Sequence, residues 1–443
     1  MLEGPLVKKL IVFSMPLAFT GILQQLFNSA DVAVAGRFAG TAALAAVGAN
    51  VANVSVFVDF LMGFSVGPNV IMARMIGQGD ARKAKKAVGT TITLSIIMGL
   101  VMMAVGECIS TWMLTSAGAP DDVLSQAELY LKIYLISIPF MSVYNCGAAL
   151  LRSVGDTRRP LYCLIISGAA NVGLNILFVA GFGWDVMGVA LATVLSNALS
   201  CALVIVILKR EQGILRLEKK DLIPDRRFIR DILGLGIPAG IQDAVFSISN
   251  VFIQSGINSF GSAAIAGSAA ALNFEYFSYY MVEGFSQAAV TFTGQNYGAG
   301  NIDRCKRVFF LTLGLGALFT EVLALIFVLF RSQLLSIYTA DPQAIEFGMV
   351  RMLCVVAFEG LVSTFNMPCG SLRGFGYAII PSVLSLIGTV VLRMLWISTV
   401  FAHFGTLSSL LYVYPASWLF TALMTSAALF FALKKAGKRL GAR

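Results

Sequence analysis

The sequence holds a single histidine, His403, and only 12% of its 443 residues carry a formal charge. Imidazole-based acid–base chemistry and His-ligated metal centres have almost nothing to work with, and His403, near the end of an apolar run, is expected at a membrane interface. The seven cysteines (Cys108, Cys146, Cys163, Cys201, Cys305, Cys354 and Cys369) stand singly, with no CxxC and no Cys/His pairing. Neither disulfides nor a resident metal is expected from that spacing, and no cofactor is implied. Also missing are a GxxxxGK[ST] phosphate loop, a catalytic-triad motif and a haem-ligand pattern, which argues against an enzyme and against a nucleotide-driven pump.

What the chain does have is apolar sequence. Hydrophobic residues make up 58% of it and the mean hydropathy is +0.83, more than a soluble core of this length could bury. Runs of about 20 apolar residues recur between short polar breaks, the length of a helix that crosses a bilayer rather than of a barrel strand. The first run, near Leu10 to Phe38, is too long for a cleavable signal and carries Gln24, Gln25, Asn28 and Asp31, so it is expected to stay as a span. The pattern predicts twelve helices, near 10–38, 45–73, 87–114, 124–150, 160–182, 186–208, 231–258, 264–295, 307–330, 344–370, 378–402 and 408–433. The expected fold class is an all-α polytopic membrane protein.

Charge sets its orientation. Counted along alternate breaks, 27 Lys and Arg face one side and two, Arg37 and Arg331, the other; Lys132, Arg351 and Arg393 fall inside or at the edge of spans. The positive-inside rule then puts both termini in the cytoplasm of a cell that holds the protein in its inner (plasma) membrane. The basic stretch "IGQGDARKAKKA" at 76–87 reads as an anchor between spans two and three, with Gly77 or Gly79 ending one helix and Asp80 capping the next. The net charge of +9 is matched to anionic headgroups, and no nucleic acid is expected as a partner.

A cousin of that stretch, "YGAGNIDRCKRV", returns at 297–308. A shift of 221 residues pairs Gly63, Phe64 and Ser65 with Gly284, Phe285 and Ser286, and Gly79 with Gly300. It also pairs Leu151, Arg152, Gly155 and Pro160 with Leu372, Arg373, Gly376 and Pro381; a shift of 222 pairs Pro16 with Pro238 and Asn28 with Asn250. The chain is therefore read as a duplication: a six-helix lobe at 1–208, a charged linker at 209–230 and a second six-helix lobe at 231–443. An even number of spans per copy gives two pseudo-symmetric lobes of the same polarity, a transporter plan in which rocking opens a cleft to either side in turn.

A carboxylate at the bilayer centre costs about 2.5 to 3.5 kcal/mol on insertion scales, so each one needs a reason. Gln24, Asn28 and Asp31 lie at i, i+4 and i+7, one stripe of span one. Asn171 and Asn175 repeat the i, i+4 spacing in span five, as do Thr193 and Asn197 in span six. These oxygens could surround a proton or Na+ at Asp31, whose burial would disfavour its charge; the alternative is an Asp31 near the outer interface, hydrated or paired with Arg37. Shifted by 222, Asp31 meets Ile253, so the site belongs to one copy. The second copy offers Asp243, Glu275 and Glu283, with Tyr276 and Tyr279, as candidates to face a substrate cleft. Asp59, Glu107 and Glu321 have no assigned role. Seventeen Met and thirty-two Phe could line an adaptable pocket, and could as well face lipid.

Taken together, Pro16 with "NSADVAVAGR", "ARMIGQGDARKAKKA", "GQNYGAGNIDRCKRV", "LLRSVGDTRRP" and "NVGLN" with "GVALATVLSN" resemble the multidrug and toxin extrusion (MATE) transporters, over nearly the whole chain. The resemblance implies twelve helices in two lobes, a monomer, and export of small amphipathic, often cationic compounds coupled to inward H+ or Na+. It matches Asp31 to the family's ion-coupling aspartate, Asn171 to its span-five asparagine and Thr193 to its span-six threonine, a set at which Na+ is conceivable. Asn175 departs from the pattern, since many relatives have Asp there, and the loss of that charge favours H+. A glutamate used by another branch of the family falls here on Phe246. The competing expectation is a lipid-linked oligosaccharide flippase, which shares the two-lobe plan and would show a cationic central cavity or extra helices. A major-facilitator carrier fits the span count but not these motifs.

Overall fold

In hydrocarbon every backbone N–H and C=O must be satisfied within its own segment, and the apolar runs accordingly close into helices. The computed structural model describes residues 1–116 and 121–441, all of whose regular structure is helical. In chain order the long helices are α1 (Leu6–Ala39), α2 (Ala45–Gln78), α3 (Ala81–Ser116), α4 (Val123–Leu135 and Ile138–Ser153, meeting at 43°), α5 (Arg158–Gly181) and α6 (Asp185–Arg210). Then come α7 (Arg226–Asn258), α8 (Ser262–Gly298), α9 (Ile302–Leu329), α10 (Pro342–Cys354 and Val362–Gly374, joined by a 3-10 turn), α11 (Ile379–Phe404) and α12 (Leu407–Lys438). Ten of these are long and apolar enough to cross a bilayer when bent α4 counts once. The other two are α8, which carries Asn273, Glu275, Glu283 and Gln287, and the interrupted α10.

The expected spans are all present, most of them longer than predicted. Polar first and last turns extend past the apolar run: α7 starts at Arg226, inside the expected linker, and α1 starts at Leu6.

The duplication is written in the backbone. Gly40 and Gly261, Gly79 and Gly300, Gly155 and Gly376, and Gly183 and Gly405 all have positive φ, a region that favours glycine, and each pair lies at a turn between helices. The turn after Gly79 is capped by Asp80 Oδ1, which accepts from the Lys83 N–H at 3.0 Å; 221 residues on, Asn301 Oδ1 accepts from the Arg304 N–H, also at 3.0 Å.

Two π-helical turns explain why the offset is sometimes 221 and sometimes 222. A π turn inserts one residue into an α-helix without ending it. Ala35–Ala39 is such a turn in α1, between Asn28 (offset 222) and Gly40 (offset 221). Ile387–Val391 is one in α11, between Pro381 (offset 221) and Gly405 (offset 222). Each copy absorbs its extra residue where the offset changes.

By packing, the chain forms two compact units, Met1–Ile22 with Val245–Arg443, and Leu23–Ala244. Those boundaries cut through α1 and α7, whereas the duplication divides the chain near the linker. The linker itself is docked within the Leu23–Ala244 unit. Thr93 Oγ1 donates to the Leu222 carbonyl (2.8 Å), the Asp225 N–H donates to Thr90 Oγ1 (3.0 Å), and Lys85 pairs with Glu218 (2.8 Å). Gly89 makes the approach possible: a Cβ there would lie 1.8 Å from the Asp221 carbonyl oxygen.

Candidate functional site

Within the Leu23–Ala244 unit α1 and α5 touch at one small residue. A Cβ at Gly168 would sit 1.9 Å from the ring of Phe27, so only glycine lets the ring lie on α5. One turn further along α1 and two turns further along α5 the polar stripes meet. Asn175 Nδ2 donates to Asp31 Oδ1 at 2.6 Å and to Asn171 Oδ1 at 3.2 Å; Asn171 Nδ2 donates to Ser196 Oγ on α6 at 3.4 Å. Ser196 Oγ in turn donates to the Thr193 carbonyl (3.0 Å). The result is a chain of hydrogen bonds from one carboxylate through two amides to a hydroxyl, with Asn171, Asn175, Thr193 and Ser196 all buried.

Several expectations meet this geometry differently. Asp31, Asn171 and Asn175 are brought together, and Asp31 is bonded to Asn175; Arg37 lies instead beside its neighbour Phe38, 6.0 Å from the ring centroid. Thr193 is adjacent, but its hydroxyl donates to the Val189 carbonyl of its own helix (3.1 Å), so Ser196 makes the side-chain link. Sequence reasoning passed over Ser196, although it stands three residues after Thr193. Asn28 was expected to join Asp31; it is exposed and makes no hydrogen bond to the cluster, because the residue that packs on α5 is Phe27. Gln24 is half-buried, on the same helix but not in the cluster.

Asn175 turns its amide nitrogen, not its oxygen, to Asp31, and its Oδ1 is buried with no partner. Asn175 thus presents a donor to Asp31, and in this arrangement Asp31 is a hydrogen-bonded carboxylate.

In the other unit, Glu275 was expected to face a cleft. It is bonded to Arg351, whose Nη2 and Nε reach Glu275 Oε2 at 2.8 and 3.0 Å while Nη1 reaches Ser268 Oγ at 2.7 Å. Glycine again sets the approach: a Cβ at Gly267 would lie 2.0 Å from the Ala344 carbonyl oxygen, so α8 and α10 run backbone to backbone just before the pair. A second guanidinium, Arg393 on α11, is fully buried, and Glu359 is nearly so. Glu321 Oε2 accepts from the Gly360 N–H at 3.0 Å. The sequence signal for this network was the pair of arginines inside spans, which in a membrane demand acidic partners.

Glu283 accepts from Gln287 Nε2 on its own helix (2.7 Å), and Asp243 lies beside Gly63 of α2. Tyr276 stacks on Tyr280 at 6.4 Å between centroids, and Tyr279 packs against the buried apolar cluster of its unit.

An all-α, twelve-helix chain with a hydrogen-bonded intramembrane carboxylate and no catalytic constellation in its sequence belongs to the class of membrane transporters. The MatE family model matches residues 16–179 and 238–399, and the chain belongs to that family, whose members are multi-pass membrane transporters and not enzymes. It is similar to a probable multidrug resistance protein, NorM, of Thermotoga maritima (29% identical, 87% of this chain and 84% of that one). It is also similar to another, YoeA, of Bacillus subtilis (26% identical, 86% and 83%). A solved structure of the outward-facing conformation of a multidrug resistance MATE family transporter shares its fold, with a TM-score of 0.86 at 22% identity over 100% of this chain and 97% of that one.

Proposed function

We propose that this MATE transporter is an efflux antiporter that exports small amphipathic organic cations in exchange for H+, by alternating access of its two six-helix repeats. The observation that carries the reading is the Asp31–Asn175 hydrogen bond. Asp31 is the formally charged member of a polar chain spanning three helices, and its contact is a donor, which suits a carboxylate that gains and loses a proton better than one that holds Na+. Protonation removes the charge that water or a cationic substrate would otherwise satisfy, so proton and substrate compete for the same unit. The asymmetry of Lys and Arg supports placing both termini in the cytoplasm and the protein in the inner membrane; the monomer is taken from the family resemblance. The flippase alternative would need a cationic cavity; Arg351 and Arg393, 2% and 0% exposed, are core groups and do not furnish one.

Purified protein in liposomes, given an imposed pH gradient or an imposed Na+ gradient with ethidium-like and neutral probes, tests this. The pH gradient is expected to drive export of the cation, and Asp31→Asn to abolish it at unchanged expression. A response to neither gradient would move the flippase reading forward; full activity of Asp31→Asn would sink the coupling role.

A further inference from the structure

Before the π turn at Ala35–Ala39 of α1 and past the one at Ile387–Val391 of α11 the two copies run at an offset of 222, which places Asn250 on the position of Asn28, Ile253 on that of Asp31 and Arg393 on that of Asn171. The first copy therefore holds a carboxylate where α1 meets α5, and the second a guanidinium where α7 meets α11. Arg393 is 0% exposed. Its Nη1 donates to Asn250 Oδ1 at 3.0 Å and its Nε to Ser417 Oγ at 3.5 Å, and its carbon lies 4.6 Å from the Tyr414 ring centroid and 5.0 Å from that of Phe246. Glu275 of α8 and Arg351 and Glu359 of α10 are the charged groups within electrostatic reach. Glu359 Oε2 and Arg393 Nη2 are both buried without a hydrogen-bond partner, two opposite charges held in one core.

We propose that Arg393 is a tethered cation. The α7–α11 contact that holds it corresponds to the α1–α5 contact that holds Asp31 in the first copy, so the second copy carries a positive charge permanently and export is coupled to a single ion per substrate. The inference rests on the reading of Asp31 as the coupling carboxylate. Its chemistry follows from the side chain: guanidinium is protonated at any physiological pH and cannot leave, whereas a carboxylate alternates between two states. The two aromatic faces, an amide oxygen and a nearby carboxylate are the surroundings that a planar, weakly hydrated cation prefers. With the side chain removed, the same surroundings are expected to take free guanidinium.

Reversal potentials in proteoliposomes read the stoichiometry directly on the unaltered protein. One ion per substrate is expected, and two would overturn the proposal. Arg393→Ala is expected to lose several degrees of melting temperature and most gradient-driven export, and millimolar guanidinium chloride is expected to restore both. Urea, the neutral isostere, and NaCl at the same concentration should restore neither. Equal rescue by urea would show that shape alone matters and would overturn the proposal, as would a folded Arg393→Ala that exports normally without guanidinium. Should Arg393→Ala not fold, Arg393→Lys is expected to keep single-ion coupling, and a second coupled ion in that variant would count against the tethered charge. Asp31→Asn keeps these outcomes separate from those of the parent reading. Its loss of coupling with the wild-type stoichiometry measured at two sinks only the tethered cation, whereas its full activity sinks the coupling role first.

Discussion

At the scale of single residues, what matters is which group each buried charge meets. Asn175 stands 2.6 Å from Asp31 and is neutral, so replacing it by aspartate puts two carboxylates where both cannot ionise unless a cation or a proton lies between them. Asn175→Asp is therefore expected to confer export driven by a Na+ gradient, absent from the parent protein; a variant indifferent to Na+ in the same flux assay would count against the proton-selective reading. In the second unit Arg351 is 2% exposed, and Glu275→Gln removes the carboxylate it is hydrogen-bonded to. Breaking a buried pair by removing one partner costs about 3 to 5 kcal/mol, so the variant is expected to unfold well below the parent temperature in detergent. Asn28→Ala, by contrast, is expected to export normally. The stripe Gln24, Asn28, Asp31 was legible as spacing, but spacing does not say which member meets a partner. That depended on the ring of Phe27, and Glu275 looked like a cleft acid until its arginine, seventy-six residues away, was placed beside it.

At the scale of helices, glycine decides where polar stripes can meet. Gly168 admits the Phe27 ring, and Asp31, one turn on in α1, then meets Asn175, two turns on in α5. Gly168→Leu drives a side chain into that ring, a small-to-large change expected to cost about 1 to 3 kcal/mol and to part α1 from α5. Gradient-driven export should fall with it, and Phe27→Ala in the same chain should recover part of the loss; if the double variant is as inactive as the single one, the contact does not set the site. The twelve spans were readable because runs of about 20 apolar residues are long signals. Their ends were not, since first turns such as Arg226–Arg230 are polar and look like loop. Nor were the π turns, which leave no compositional mark; Ala35–Ala39 and Ile387–Val391 show themselves only as a one-residue change in the repeat offset.

For the chain as a whole, the duplication was legible from matching loop motifs, while the division by packing was not, because it cuts α1 and α7 at points that no sequence feature marks. The linker was read as a joining segment, and it is more than that. Residues near Asp221 rest on Gly89, and Glu218 accepts from Lys85 at 2.8 Å and pairs with Lys220 at 2.6 Å. Those two ammonium groups, Lys220 first, hold the Glu218 carboxyl down to about 2 from its usual 4.5. A depressed carboxyl stabilises the docked linker above the unfolded value and stops doing so as pH falls through the folded one. The docking is therefore expected to be insensitive to pH between about 5 and 8 and to loosen between about 4.5 and 2. Because Lys220 is exposed and Glu218 and Lys85 are only half-buried, salt should weaken the clasp at neutral pH as well. A spin label on Gln212→Cys reports the motion: immobile at neutral pH and low salt, and mobile in acid, in high salt, or in Glu218→Gln at pH 7. A label that stays immobile in Glu218→Gln would assign the docking to Gly89, Thr90 and Thr93 alone, through their backbone approach and hydrogen bonds to the linker.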